Sequence, residues 1–402
     1  MEIVIDKLVY GGFGLGRNAD GKAVFVPYVL PGERVLVNPV QEKKGHIHAE
    51  LVEILERSEK RVQPFCRHFG ICGGCSYQIL DYSEQLAIKQ AIVEEAILRA
   101  TGLETIPIRD ILPSPDETHY RNQVTFQVLD NGKTGFYRGQ SHERMEIEEC
   151  YLPLESLLSL RDSLSLEDPS GLSWIDFRSG DEDSLVYFHG EDAPPELEVD
   201  FPVNLLFEQD GDPMILSGDE YILKTIAGRT FQISGDAHFQ VNDRQSERLI
   251  KLVMQALTPA AGGTLLDVYC GVGLLSAFVA PLFKEVVAIE AHPLDCEDFV
   301  VNLDEFEHVS LYQGSPEVVL PALKLKPDAM IVAPLRSGID RFALDAILPM
   351  EPRRVIYISA DLATLARDLK RFLQAGYTLE SVQPLDMLPH THHIECVVVL
   401  QK

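Results

Sequence analysis

Leu265-Leu266-Asp267-Val268-Tyr269-Cys270-Gly271-Val272-Gly273-Leu274-Leu275 is an apolar run that ends in a carboxylate and a glycine pair, then passes into a helical pattern through Phe278. A strand, tight turn and helix take this form when the turn must approach a ligand closely. Gly271 and Gly273 supply conformations that a side chain forbids. A second apolar run, Val286 to Ile289, ends in Glu290, 23 residues after Asp267. A carboxylate of that type and spacing holds the hydroxyl pair of a ribose. A chance strand-loop-helix is the competing reading, and the Glu290 offset decides for a nucleoside-containing cofactor.

A second chemical cluster lies earlier. Cys66, Cys72 and Cys75 fall within ten residues in the string F-C-R-H-F-G-I-C-G-G-C-S-Y-Q, and Cys150 follows after a long interval. Four thiolates beside glycines that let the backbone wrap a bulky inorganic core suit an iron-sulfur cluster. Zinc is the alternative, because four cysteines also close a tetrahedral site. Seven cysteines in 402 residues, unevenly packed, do not form the framework of a small secreted protein. With no basic-then-apolar leader and no run of about 20 apolar residues, the expected location is the cytoplasm, away from membranes.

These residues need elements to position them. A chain of 402 residues with 46% hydrophobic content fills two or three domains. Residues 1–57 alternate in short runs at Glu2 to Ile5, Ala23 to Pro27, Arg34 to Pro39 and Ile47 to Leu55, separated by Gly-rich or Pro-Gly turns; this predicts a small β-barrel. Gly11 to Arg17 reads as its glycine-rich loop, and Lys43 and Lys44 sit on a later turn. Each is either a solvated loop or an RNA contact. Residues 58–228 carry the cysteines, an amphipathic helix over 82–101 and a sheet opened by His119-Tyr120-Arg121-Asn122. Arg121 there meets a phosphate or pairs with a carboxylate. Residues 229–402 alternate strand and helix, with strands near 264–269, 285–290, 308–313, 328–333, 353–360 and 394–400, so the sheet is mostly parallel and covered on both faces. The segments at 377–384 and 394–400 follow one another without a helix and are expected to form an antiparallel edge.

The net charge of -27 argues against a general nucleic-acid binder. It is unevenly spread. Residues 1–65 carry nine basic and nine acidic side chains, whereas residues 151–228 carry three and eighteen. A neutral RNA-facing region remains compatible with this distribution, and so does a non-enzymatic protein that uses the barrel and the acidic module to bind RNA or protein.

The barrel resembles the TRAM domain, an oligonucleotide-binding-like fold. The whole chain is similar to the RNA uracil-5-methyltransferase family, in which a TRAM barrel, a four-cysteine iron-sulfur module and an S-adenosylmethionine fold follow in this order. Supporting strings are H-F-Q-V-N at 238–242, T-L-A-R-D-L at 364–369 and H-I-E at 393–395. The resemblance implies an α/β class I methyltransferase domain, Rossmann-like, behind an N-terminal barrel and a central α+β iron-sulfur domain. It also implies S-adenosylmethionine held by Gln240, Asp267, Tyr269, Gly271, Gly273 and Glu290, and a [4Fe-4S] cluster on Cys66, Cys72, Cys75 and Cys150. The implied partner is rRNA or tRNA, with no DNA, and the expected oligomeric state is a monomer.

Uracil C5 is a weak nucleophile. In the family a cysteine thiolate adds to C6, the resulting enolate-like carbon takes the methyl group, and a base removes the C5 proton and expels the thiol. Glu395 matches the base. The nucleophile does not: Ser359-Ala360-Asp361-Leu362 stands where the family has Ser-Cys-Asn/Asp-Pro, and Ala333-Pro334-Leu335-Arg336 where it has Asp-Pro-Pro-Arg. Leu335 and Leu362 replace prolines as well, which speaks for natural divergence rather than a targeted knockout. His238 replaces an aromatic that would stack on a flipped base. Cys270, Cys296 and Cys396 are the thiols left to substitute, and their positions suit packing better than attack. The expectation is a family member whose C5 methylation is lost or impaired, against the alternative of an active enzyme using another nucleophile or target atom.

Overall fold

Alternating burial along the first 56 residues closes five strands into a barrel: β1 Glu2–Val9, β2 Phe13–Arg17, β3 Ala23–Pro27, β4 Arg34–Glu42 and β5 His46–Glu56, in the order β1-β2-β3-β5-β4. The structure is a computed structural model and describes residues 1–402 except 165, 167–168, 192–193, 195–201 and 210. Ile3, Ile5, Val24, Val26, Val35, Val37 and Ile47 point inward and fill the barrel. The segment Gly11 to Arg17, expected as a loop, is mostly strand β2. A Cβ on Gly14 would lie 2.3 Å from Val29 Cγ2, and one on Gly16 would lie 2.4 Å from the Val4 carbonyl oxygen. The glycines there let neighbouring backbone close around the barrel, a use that composition alone does not separate from a turn.

Helix α1, Tyr82–Thr101, leads into a second sheet. Its strands are β6 Gln123–Val128, β7 Thr134–Tyr137, β8 Arg144–Glu146, β9 Leu172–Ser179, β10 Ser184–Gly190, β11 Asn204–Gln209 and β12 Asp212–Ser217, in the order β12-β11-β10-β9-β6-β7-β8. Helix α2, Glu155–Ser163, buries Leu157 and Leu160 against Phe126, Phe177 and Phe188. The acidic segment 151–228 lies partly outside the described residues. A hairpin, β13 Tyr221–Ile226 and β14 Arg229–Ser234, turns at Ala227-Gly228. Its Ile222, Phe231 and Ile233 share a core with Leu206 of β11 and with Ala288 and Phe299 beyond it.

The third sheet follows α3, Asp243–Leu257, and alternates with helices: β15 Thr264–Val268, α4 Leu274–Val279, β16 Glu285–Glu290, α5 Pro293–Asn302, β17 Val309–Gln313, α6 Pro316–Val319, β18 Ala329–Val332, α7 Arg341–Ile347, β19 Arg354–Ser359 and α8 Leu362–Gln374. β20, Thr378–Leu385, and β21, Glu395–Gln401, complete the order β17-β16-β15-β18-β19-β21-β20. The first five strands of this order are parallel. β21 runs antiparallel to both β19 and β20. Val, Ile, Leu and Ala dominate these strands because both faces are covered. One cover comes from far back in the chain: Ile92, Val93 and Ile97 of α1 pack in the same core as Tyr357, Leu365, Leu369 and Val398. On the same helix the Lys89 ammonium is 2.6 Å from Asp386 Oδ1 and 3.2 Å from the Leu388 carbonyl, with both side chains of the ion pair fully buried. Among the described residues no helix is long and apolar enough to cross a membrane.

Candidate functional site

The carboxyl ends of β15, β16 and β18 open into a cavity of about 1100 Å³ whose wall includes His238, Tyr269, Gly271, Glu290, Ala333 and Asp340. Parallel sheets bind ligands at this edge because the loops diverge there and leave backbone groups free. Glu290 ends β16 and its carboxylate is held by backbone donors: Oε2 accepts from Gly271 N at 2.9 Å, and Oε1 accepts from Ala291 N at 2.6 Å and His292 N at 2.9 Å. This ties the two loops of the cavity together. Tyr269 and Gly271 take positive φ, 65° and 55°, and a Cβ on Gly271 would meet nothing closer than 3.8 Å, so the chain presents bare backbone there. Gly273 serves packing instead. A Cβ there would strike Leu303 at 2.2 Å and Phe299 at 2.9 Å.

Asp267 lies under the loop, 1% exposed. Its Oδ2 accepts from the Ser276 hydroxyl at 2.6 Å, while Oδ1 is buried without a partner. Burial pushes its carboxyl up to about 7, opposed by Ser276 and reinforced by the Glu290 charge. Gln240 does not reach the cavity wall; its backbone carbonyl accepts from the Asn122 side chain at 2.9 Å.

Next along the same edge stand the end of β19 and the start of β21. Ser359 pairs with Cys396 in the antiparallel ladder, so continuing the register sets Ala360 across from Glu395. Ala360 is exposed and offers only a methyl group. Glu395 is 6% exposed, and burial alone pushes its carboxyl up to about 7. It is therefore poised to take or give a proton near neutral pH. Cys396, on the opposite face of β21, is fully buried in the apolar core. Burial raises its thiol, raises Cys270 well above the ordinary value and pushes Cys296 up to about 11. Each is protonated at neutral pH, the wrong state for attack.

The Glu395 shift has a measurable sign. Between the ordinary carboxyl value of 4.5 and about 7, the folded state holds a proton that the unfolded state has released, so stability falls as pH rises through that window. Glu395→Gln removes this dependence. The variant is expected to be more stable than the unsubstituted protein by about 3 kcal/mol at pH 8, with the gap closing below pH 4.5. Urea denaturation at both pH values checks it, and an unchanged gap would show that the carboxylate is already solvated.

Sequence reasoning missed how the edge is furnished. Tyr10, just past β1 of the barrel, donates its hydroxyl to Asp361 Oδ2 at 2.9 Å, and Asp361 caps α8 by accepting from Thr364 N at 2.9 Å. Arg336 is 2.7 Å from His393 Nδ1, and Ser76 Oγ is 3.1 Å from His392 Nδ1. Burial, with the nearby Arg336 cation, pushes His392 down to about 4 and His393 to about 3, so both imidazoles are neutral. The S-x-D-x-x-T capping pattern at 359–364 was the one legible signal.

The four cysteines converge. Cys66, Cys72, Cys75 and Cys150 line one cavity of about 440 Å³, together with Arg121. The Arg121 Nε is buried there without a hydrogen-bond partner; the side chain faces the cysteines rather than an outer surface. Gly73 donates its backbone N–H to the Tyr137 carbonyl at 3.1 Å, which packs the cysteine loop on β7. Lys43 and Lys44 are exposed between β4 and β5, remote in sequence from the other candidates.

Comparison with known proteins places this geometry. The family profile described as tRNA (Uracil-5-)-methyltransferase matches residues 318–402, the stretch that carries Ala333, Ala360 and Glu395. A protein of Streptomyces avermitilis described as an uncharacterized RNA methyltransferase is 31% identical over 100% of this chain and 98% of its own length. One of Halalkalibacterium halodurans with the same description is 31% identical over 100% and 96%. The tRNA (uracil-54, C5)-methyltransferase of Pyrococcus abyssi, solved in complex with S-adenosyl-L-homocysteine, shares the fold with a TM-score of 0.76 at 23% identity, covering 100% of both chains. With relatives described as RNA methyltransferases 31% identical from end to end and a C-terminal stretch that matches the tRNA (Uracil-5-)-methyltransferase profile, the chain belongs to the RNA methyltransferase family.

Proposed function

We propose that this protein binds S-adenosylmethionine in the cavity between Gly271 and Glu290 and holds RNA against it, but does not methylate uracil C5 by the covalent route. The observation that carries this reading is the methyl group of Ala360, one residue past the Ser359–Cys396 pair that adjoins the buried Glu395: a candidate base is present and a nucleophile beside it is not. The cavity fits the cofactor through its donor set. Glu290 offers carboxylate oxygens for a ribose, and the Gly271 backbone admits close approach. S-adenosylmethionine, when bound, supplies an electrophilic methyl group. What this chain adds is the orientation of the ribose by Glu290 and a proton acceptor at Glu395.

A four-cysteine group also fits, on Cys66, Cys72, Cys75 and Cys150. A single zinc ion needs its sulfurs about 3.8 Å apart, and among the described residues the one trio of ligand atoms within 4.8 Å of one another is His238, His292 and Asp295. The wider cysteine cavity favours [4Fe-4S], which would clamp the 66–75 loop to Cys150.

Calorimetric titration of anaerobically purified protein with S-adenosylmethionine tests the reading. Binding is expected, and Glu290→Gln is expected to weaken it by about 1.5–3 kcal/mol, roughly 10- to 150-fold, the scale of a charge-assisted hydrogen bond. Absence of binding would move the function away from methyl transfer altogether. One feature favours a second reading, methylation of a nitrogen or oxygen atom of RNA: Glu395 keeps a proton-accepting carboxyl, and a heteroatom with a lone pair needs no covalent activation. Labelled methyl groups appearing in RNA, at a position other than uracil C5, would establish it.

A further inference from the structure

On the wall of the same cavity, three side chains from two separate segments meet. His238 lies in the connection between β14 and α3, His292 precedes α5, and Asp295 is in the first turn of α5. One ligand atom from each falls within 4.8 Å of the others. Asp295 Oδ2 is 3.1 Å from His238 Nδ1, and its Oδ1 is 3.3 Å from His292 Nδ1. Oδ1 also accepts from the His238 backbone N–H at 2.9 Å, so the carboxylate is oriented. His292 Nδ1 is buried and makes no hydrogen bond; the Asp295 carboxylate oxygen 3.3 Å away is the group it faces. Behind it, His292 Nε2 is 3.5 Å from Asp236 Oδ2, the carboxylate-imidazole arrangement that orients metal-binding histidines. The local charge is short of cations: the buried Arg178 is shared among Asp176, Asp236, Asp295 and Asp298.

We infer that His238, His292 and Asp295 bind a divalent transition-metal ion of the zinc class. Two imidazoles and one carboxylate are the donor set of zinc, cobalt and nickel rather than of magnesium or calcium, which take oxygen. Three protein ligands leave coordination positions open, and all three side chains line the cavity, so the open side faces the ligand space. The ion would bridge the chain ahead of α3 to the start of α5, two residues from Glu290. His238 replaces the aromatic found in the family at this position, so the site belongs to this chain's divergence. Its existence is independent of cofactor binding.

The test is a titration of the full anaerobically purified protein with Co²⁺, read by visible absorption. The expected result is a single cobalt ion with the bands of nitrogen and oxygen ligation, no sulfur-to-cobalt charge-transfer band, and bleaching by added Zn²⁺. His238→Phe and His292→Ala should each weaken binding by more than about tenfold, and Asp236→Asn by about tenfold. His238 is half exposed, so its replacement leaves the core intact. No cobalt spectrum, or a spectrum with the sulfur band that survives both histidine substitutions, overturns the proposal; the second result would locate the ion among the cysteines.

Discussion

Ala360→Cys is expected to form a covalent adduct with RNA containing 5-fluorouracil, where the unsubstituted protein forms none. The adduct needs a thiolate that reaches C6, and fluorine blocks the proton removal that would release it. Position 360 is exposed just past β19, one residue beyond the Ser359–Cys396 pair that adjoins the buried Glu395 and one residue before the α8 cap, Asp361. A thiol placed there enters a rim already fixed on both sides. Removing a nucleophile from an intact enzyme costs on the order of 10⁶ in rate, so even a small part of that recovered in Ala360→Cys stands far above background. Pairing it with Ala333→Asp restores the second carboxylate on β18's exit and should raise the yield. A denaturing gel of protein with fluorinated RNA gives the answer. An adduct with the unsubstituted protein would mean another thiol attacks; none with Ala333→Asp/Ala360→Cys would mean that the rim has lost more than its cysteine.

Lys89→Met is expected to destabilise the protein by about 3–5 kcal/mol, the cost of leaving a buried charge without its partner. Lys89 and Asp386 are both fully buried, with Nζ 2.6 Å from Oδ1. Burial pushes the ammonium down and Asp386 opposes this. The remaining Asp386 oxygen is buried without a partner, so loss of the ammonium strands the whole carboxylate. The double substitution Lys89→Met/Asp386→Leu should recover most of the loss, because an apolar pair of similar volume has no charge to desolvate. Denaturant titrations of the two variants and the parent decide it; equal stability of Lys89→Met and the parent would mean that water or a proton already compensates Asp386. A functional consequence accompanies the loss. Asp386 begins the connection that carries His390, His392 and His393 to Glu395, and the Gln85 side chain on α1 also engages His390.

The parallel sheet was legible in the sequence because β15, β16, β18 and β19 are runs of mostly buried apolar residues; the edge strand β17 is partly exposed. Gly271 and Glu290 were legible for a related reason: the loop that must show its backbone and the carboxylate that must face it have a fixed offset along one β-turn-helix-β unit. Strand β2 was not, because Gly14 and Gly16 carry the composition of a turn while serving a close approach across the barrel. Nor was the partner of α1. Ile92, Val93 and Ile97 announce an apolar face, but no residue on that face states that it will lie on a sheet more than 160 residues later. The same limit hid Tyr10 against Asp361 and His238 against Asp295, pairs separated by 351 and 57 residues. Their meeting is a property of the folded chain, and a local pattern carries no trace of it.

The placement of α1 also sets an order of events during synthesis. The helix and its buried lysine precede the cover they require by a long stretch of chain, 297 residues from Lys89 to Asp386, with Tyr357 and Val398 comparably far along. Non-local contacts of this kind form late and slowly. Until β19 to β21 are released, the nascent chain holds an apolar helix face and an uncompensated charge in water, while the barrel ahead of it can already close from its own 56 residues. The barrel can thus mature on the ribosome, whereas α1 must wait for the third sheet that covers it.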